Sequence, residues 1–203
     1  MFNAPQISQV GDPVLRAKAA AVEARDIGTE EFQRLIEAMT AAMRAGGVGL
    51  AAPQIGTSLQ VVVMEDPAEY SAKMPQAERL EKEREPFDLK VMINPVLREV
   101  GTETRDFFEG CLSIKGYTAM VRRHREVSVS YLDENGAPQT WQPCGWAARI
   151  VQHEYDHLHG VLYTDRMLPQ SFMSDEEYRK RYVGMPVALV KEKLGLKEKL
   201  GLT

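Results

Sequence analysis

Residues 145–160 read GWAARIVQHEYDHLHG, a stretch with glycine at both ends and no proline inside. From Trp146 to His159 the pattern is continuously helical, and Gly160 supplies the stop. His153 and His157 are four residues apart, so at about 100° per residue their imidazoles project within about 40° of each other, one turn apart. Both rings can therefore reach one ion, which is the use of an HExxH motif on a helix. Glu154 stands about 60° from His157, on the flank of that face, where it can touch a water without ligating the ion itself.

Outward from this helix, the chain divides into short periodic segments. Between Thr29 and Arg44 the residues Phe32, Leu35, Ile36, Met39 and Met43 form one helical stripe. Thr29 can cap that helix, Glu30 and Glu31 suit its positive end, and Gly46-Gly47 end it. LQVVVM (59–64) reads as a buried strand. Residues 65–90, with Pro67, Pro75 and Pro86, read as a solvated excursion whose AERLEKERE run supports a short exposed helix at most, through pairs such as Glu78 with Lys82. KVMINPVL (90–97) resumes a strand, which Pro95 is expected to push to an edge or an end. REVSVSYLDENGAPQTW (125–141) alternates about Asn135-Gly136 and predicts a hairpin. SDEEYRKRY (174–182) opens on a Ser174 cap, and VKEKLGLKEKLGLT (190–203) closes the chain as a Lys- and Leu-rich tail. Strands outnumber helices without βαβ alternation or repeats, so the class is α+β.

Composition narrows the function. The 203 residues suffice for one domain, and 44% hydrophobic with 27% charged residues is the balance of a globule, not of a disordered chain. The formal charge of −4 argues against a nucleic-acid binder with a basic face. No apolar run approaches the roughly 18 residues of a membrane span. MFNAPQISQVGDPVLR lacks a leader pattern, and Asp12, Glu23 and Asp26 do not suit a transit peptide, so the cytoplasm is the expected location. Two cysteines, Cys111 and Cys144, make no disulfide framework. Cys144 reads as a small buried hydrophobe.

The two histidines need a third partner. HEYDHLHGVLY has Tyr163 where a metzincin carries its last histidine, which removes that reading. Glu177, twenty residues beyond His157, is in range for a thermolysin-like site. Cys111, in FFEGCLSIKGY, offers a thiolate that a metal would deprotonate outright. Spacing leaves both open. GGVGLAAPQIG (46–56) matches G-x-G-x-x-A, yet a helix precedes it and Pro53 interrupts the helix that a dinucleotide site would need next, so that reading fails. It remains a small-residue segment permitting close backbone approach, with Gln54 as its neutral donor.

GVGLAAPQ (47–54), EGCLS (109–113) and QHEYDH (152–157), in this order and at these separations, resemble the three motifs of the peptide deformylase family. GDPVLR (11–16) and INP (93–95) are similar to that family too, so the resemblance covers roughly residues 8–168. It implies antiparallel strands packed around a central helix carrying HExxH, a catalytic domain over 1–168 and a helical, basic tail over 169–203. It places a divalent metal on Cys111, His153 and His157, with Fe²⁺ in the cell and Zn²⁺, Ni²⁺ or Co²⁺ accepted. Glu154 falls on the catalytic acid/base, while Gln54 and the backbone N–H of Leu112 fall on the groups that hold the oxyanion. Substrate would lie against Val48, Gly49, Glu109 and Gly110, and against Trp146, Arg149 and Ile150. Trp146 and Arg149 replace aliphatic residues of many bacterial members near the methionine pocket, and Lys115 replaces a frequent proline. The implied activity is hydrolytic removal of the formyl group from the N-terminal formyl-methionine of new polypeptides. Its partners would be the nascent chain and, transiently, the ribosome, with no nucleic-acid specificity and no membrane. A thermolysin-like peptidase using Glu177, and a non-catalytic metal module reading nascent chains, are the alternatives.

Overall fold

A computed structural model describes residues 5–196. In chain order its longer elements are α1 (Ala24–Ile27), α2 (Glu30–Arg44), β1 (Gly49–Ala51), β2 (Val61–Asp66), α3 (Ala68–Ala72), α4 (Gln76–Glu81) and β3 (Phe87–Glu99). There follow β4 (Thr104–Cys111), β5 (Ile114–His124), β6 (Val127–Leu132), β7 (Pro138–Trp141) and α5 (Gly145–Leu158). The chain ends in α6 (Tyr163–Arg166), β8 (Met173–Ser174), α7 (Asp175–Arg181) and α8 (Val187–Lys193).

The strands form a five-stranded sheet ordered β1-β2-β3-β6-β7 and a three-stranded sheet ordered β4-β5-β8, all antiparallel. Strand β2 explains the layering. Its run VVVM shows no alternation because both faces are covered: Val61 and Val63 pack with Phe32, Ile36, Met39 and Met43 of α2, whereas Val62 and Met64 pack with Ala148 and Val151 of α5. Helix α5 thus lies under the larger sheet and also touches β5 of the smaller one, the central position expected of the histidine helix. The Thr29 hydroxyl accepts from Phe32 N at 3.3 Å, as its capping role requires. No helix among the described residues is long and apolar enough to cross a membrane.

Three expectations need correction. Pro95 does not push its strand outward, since β3 is the middle strand of the five. The ladder shifts register between Ile93 and Val96, so the residue without an N–H sits in an irregularity. Asn94, at φ +51°, turns its amide to Val22 and meets both the N–H and the carbonyl at 2.8 Å. Residues 65–90 are not a loose excursion either. Arg84 grips buried Asp66 through two bonds of 2.8 and 2.7 Å, and Arg125 grips Glu83 at 2.9 and 2.7 Å, which ties α3 and α4 down at their return. The short helix read near Glu78 and Lys82 is α4, with those two side chains paired at 2.7 Å. Finally, Cys144 is exposed. It stands at the N-cap of α5, before Gly145, whose φ of +57° turns the chain into the helix where a Cβ would lie 2.5 Å from Glu83 Cβ.

The hairpin falls where Asn135-Gly136 places it, between β6 and β7. The segment after 168 folds back: β8 pairs with β5 through Tyr117–Ser174 and Thr118–Met173, and Ser174 caps α7. Helix α8 buries Val190, and Lys191 reaches Asp106 of β4 at 2.8 Å. Residues 197–203 of the tail lie outside the described residues. Burial alone would raise the Asp106 carboxyl, but Arg122 and Lys191 outweigh it and hold it at about 2, below its ordinary 3.8. A depressed carboxylate stabilises the fold above its unfolded value and loses that contribution as pH falls through the folded one. Acid titration from pH 4 to 2 is therefore expected to release α8 from β4, read as accelerated amide exchange at Val190 and Lys191. Lys191→Ala removes the α8 partner of Asp106, so exchange there should already be fast at pH 4 and the acid step should disappear.

Candidate active site

The stretches 47–54, 109–113 and 152–157 come together along one side of α5, where Gln54 meets Cys111 and Cys111 meets His157. Gln54 lies in a 3-10 turn (Ala52–Ile55) with Pro53 as its second residue. Its Oε1 accepts from Ala51 N at 2.8 Å, which fixes the amide so that Nε2 faces Ser113 Oγ at 3.3 Å and Cys111 Sγ at 3.5 Å. Cys111 ends β4 at a register shift after Gly110, and Leu112-Ser113 turn the chain into β5. The Leu112 side chain packs under Gly47, leaving its backbone beside the sulfur. The N-terminal segment fastens both turns: Ser8 N donates to Gln54 O and Val10 N to Ser113 O, each at 2.8 Å, and Gln9 Nε2 donates to Leu112 O at 3.0 Å.

On α5, His153 and His157 face this turn with ring centroids 5.1 Å apart. Cys111 Sγ lies 3.3 Å from His157 Nε2, and one ligating atom from each of Cys111, His153 and His157 falls within 4.8 Å of the others. This is the one such group among the described residues. An N₂S set at this spacing, with a sulfur available as thiolate, suits a tetrahedral divalent ion with one position left open. Burial and the neighbouring His153 hold the His157 imidazole well below its ordinary range, so it is neutral and ready to ligate. Burial opposes protonation of His153 as well, but Cys111 and Glu109 carry it well above the ordinary range, so a cation entering here displaces a proton.

Glu154 is buried, and its Oε2 has no hydrogen-bond partner. Burial pushes its carboxyl up to about 7. Gly49 of β1 lies against it so closely that a Cβ would stand 2.4 Å from Glu154 Oε1. Gly49→Ala must therefore displace Glu154. A misplacement of about 1 Å costs on the order of 10²-fold in the rate of a reaction that uses this carboxyl, which would be read as a loss in kcat with metal content unchanged.

A cavity of about 940 Å³ opens over these groups. Val48, Gly49, Glu109 and Gly110 line it, as do Trp146, Arg149 and Ile150. Two of these carry a charge that the cavity does not use. Glu109 gives its carboxylate to His153 Nδ1 at 2.9 Å, to Arg123 at 3.0 and 2.9 Å and to Arg149 at 2.6 Å. Despite burial, Arg123 and its other donors hold that carboxyl well below the usual range. Sequence reasoning missed Tyr70 and Arg84 from the tied-down α3–α4 segment, and Phe108 and Tyr117 from the smaller sheet, all of which also line the cavity. It also missed Gln152, which exchanges bonds of 3.1 and 2.8 Å with the His124 backbone and pins α5 to β5. Asp156, inside the HExxH string, pairs with Arg123 and grips Arg166 at 2.7 and 2.8 Å.

Glu177 is not brought to the histidines. It lies on α7, paired with Arg181, which overturns the thermolysin-like alternative. Tyr163, in the place of a metzincin histidine, stacks beside His153 at 6.2 Å and donates to Tyr117 O at 3.1 Å.

Residues 4–172 match the polypeptide deformylase family. The chain is 47% identical over 193 residues to the chloroplastic peptide deformylase 1A of Solanum lycopersicum, covering 95% of this chain and 68% of that one. It is 45% identical over 167 residues to the mitochondrial peptide deformylase of Homo sapiens, covering 82% and 69% respectively. The crystal structure of a class I type b peptide deformylase from Acinetobacter baumannii with Met-Ala-Ser bound is similar at a TM-score of 0.73 and 32% identity, covering 82% of this chain and 100% of that one. The chain therefore belongs to the peptide deformylase family, metal-dependent hydrolases that remove the N-formyl group from the N-terminal methionine of nascent polypeptides.

Proposed function

We propose that Cys111, His153 and His157 hold the metal and that Glu154 is the acid/base of formyl hydrolysis. The observation that carries this is a buried carboxylate oxygen without a partner, beside three ligating atoms within 4.8 Å of one another. When bound, the metal supplies Lewis acidity that lowers the pKa of water and polarises the formyl carbonyl. Glu154, at about 7, is matched to taking a proton from the attacking water near neutral pH. The water oxygen bonds to the formyl carbon, the C–N bond breaks, and Glu154 returns the proton to the leaving amine, giving formate and a free α-amino group.

Gln54 Nε2 and the Leu112 N–H hold the developing oxyanion. The Ala51 N–H bond to Gln54 Oε1 supports this for Gln54, because it prevents the amide from presenting its oxygen instead. Gln54→Ala is expected to cost about 10² to 10³ in kcat, measured with metal occupancy held constant. Gly49 packs directly on Glu154, and this small-residue wall is read as admitting a formyl carbon, which bears no side chain, while crowding larger acyl groups. Val48, Gly49 and Gly110 are read as backbone neighbours of the peptide, with Trp146 and Ile150 toward the methionine side chain; the Acinetobacter baumannii relative with Met-Ala-Ser bound supports that class of ligand.

Fe²⁺ is the proposed metal in the cell, with Zn²⁺, Ni²⁺ and Co²⁺ as substitutes, since an N₂S set accepts all four and availability decides. Residues 1–168 are the proposed catalytic unit and 169–203 a tail. The cytoplasm is the proposed compartment, although relatives include a chloroplastic and a mitochondrial form. A transient ribosome contact is proposed from the nature of the substrate. Formyl-Met-Ala-Ser given to the Fe²⁺- or Ni²⁺-loaded chain under anaerobic conditions should release formate, and absence of formate with full metal occupancy would refute this reading.

A further inference from the structure

Arg149 stands one helical turn before His153 on α5 and is 3% exposed. Although it lines the cavity, three of the five N–H donors of its guanidinium are spent on the protein. Nη1 donates to Glu109 Oε1 at 2.6 Å and to Val121 O at 2.9 Å, while Nη2 donates to Arg105 O at 2.6 Å. Glu109 consequently receives Arg149 Nη1 and Arg123 Nε on Oε1, and Arg123 Nη2 and His153 Nδ1 on Oε2. An ionised carboxylate has about four acceptor sites, so Glu109 is saturated.

The two arginines do different things to it. Arg123 meets both oxygens as a fork, and a fork and its carboxylate can swing together as one plane. Arg149 is moored separately, on a carbonyl of β4 and a carbonyl of β5, and bonds only Oε1. It stops that swing. Oε2 is then held where it accepts the His153 Nδ1 proton, and a histidine whose Nδ1–H is so fixed presents Nε2 for ligation.

We propose that Arg149 is a positioning residue of the metal site, which acts through Glu109 to orient His153. This rests on the assignment of His153 as a ligand. It adds a role to its sequence-based place among substrate contacts, because three of its five donors are directed into the protein and hold the ligand network.

Two readouts other than turnover test it: Co²⁺ affinity followed by visible absorption, and exchange of the His153 Nδ1–H proton by NMR in the Zn²⁺ form. Arg149→Met should weaken Co²⁺ binding by about 10- to 100-fold and speed that exchange. Arg149→Lys, whose ammonium can reach Glu109 Oε1 but not both carbonyls as well, should recover most of the affinity while melting below the wild type. Unchanged affinity and exchange in a folded Arg149→Met would overturn the proposal. Should Arg149→Met fail to fold, Arg149→Gln decides: weaker Co²⁺ binding with faster Nδ1–H exchange in the folded protein supports positioning, and unchanged affinity and exchange overturn it. Cys111→Ser is the control for the ligand assignment, since wild-type Co²⁺ affinity in that variant would refute the metal site itself whatever Arg149 does.

Discussion

Glu154→Gln is expected to lower formate release by about 10² to 10⁴-fold, the range that a positioned acid/base supplies, with metal content and melting temperature close to wild type. Glutamine keeps the shape of the side chain against Gly49 but cannot take up a proton. The buried Oε2 has no partner in the fold, so the exchange breaks no hydrogen bond there. Removing a carboxyl that burial already pushes toward neutrality also costs the fold little electrostatic energy. Loss of turnover with the fold and metal retained isolates proton transfer; a variant that turns over normally would remove Glu154 from the reaction.

Glu109→Ala is expected to have the largest effect on stability, about 3 to 5 kcal/mol in urea unfolding, the cost of leaving buried charges without a partner. Arg149 would lose its carboxylate and Arg123 would keep only Asp156, and their side chains are 4% and 3% exposed, so water cannot replace the loss. Because the same carboxylate accepts from His153, metal affinity should fall too. The double variant Glu109→Leu with Arg149→Met should recover part of the stability by removing an orphaned charge, but not the affinity. Equal recovery of both would mean that the network serves the fold alone.

The parts of this protein written locally were legible in its sequence. The helix bearing HExxH follows from one periodic run between two glycines, and the strand read at 59–64 follows from a β-branched run, though it begins at Val61 and extends to Asp66. What escaped depended on partners far along the chain. Pro95 excludes a ladder bond, but only Asn94 bonded to Val22, 72 residues earlier, makes the central position tenable. Cys144 is apolar enough for a core, yet a backbone bridge to Glu126 turns it outward. Glu177 had the spacing of a ligand, and its own helix satisfies it through Arg181. Among the candidate site residues, Cys111, His153 and His157 stand out by type and order and the fold brings them together, whereas the carboxylate of Glu109 reads as charge near a cysteine until Arg123, Arg149 and His153 converge on it.

The three bonds from Ser8, Gln9 and Val10 bear on how the chain tolerates processing. These residues belong to no motif, yet they lace the turn carrying Gln54 to the turn carrying Cys111. Trimming by an aminopeptidase that removes Ile7 would take away a side chain packed on the core and lining the cavity, and the next residue removed would free the Gln54 carbonyl. The chemistry therefore sets a minimum length for its own front end, and any cleavage that matures this enzyme has to stop short of Ile7.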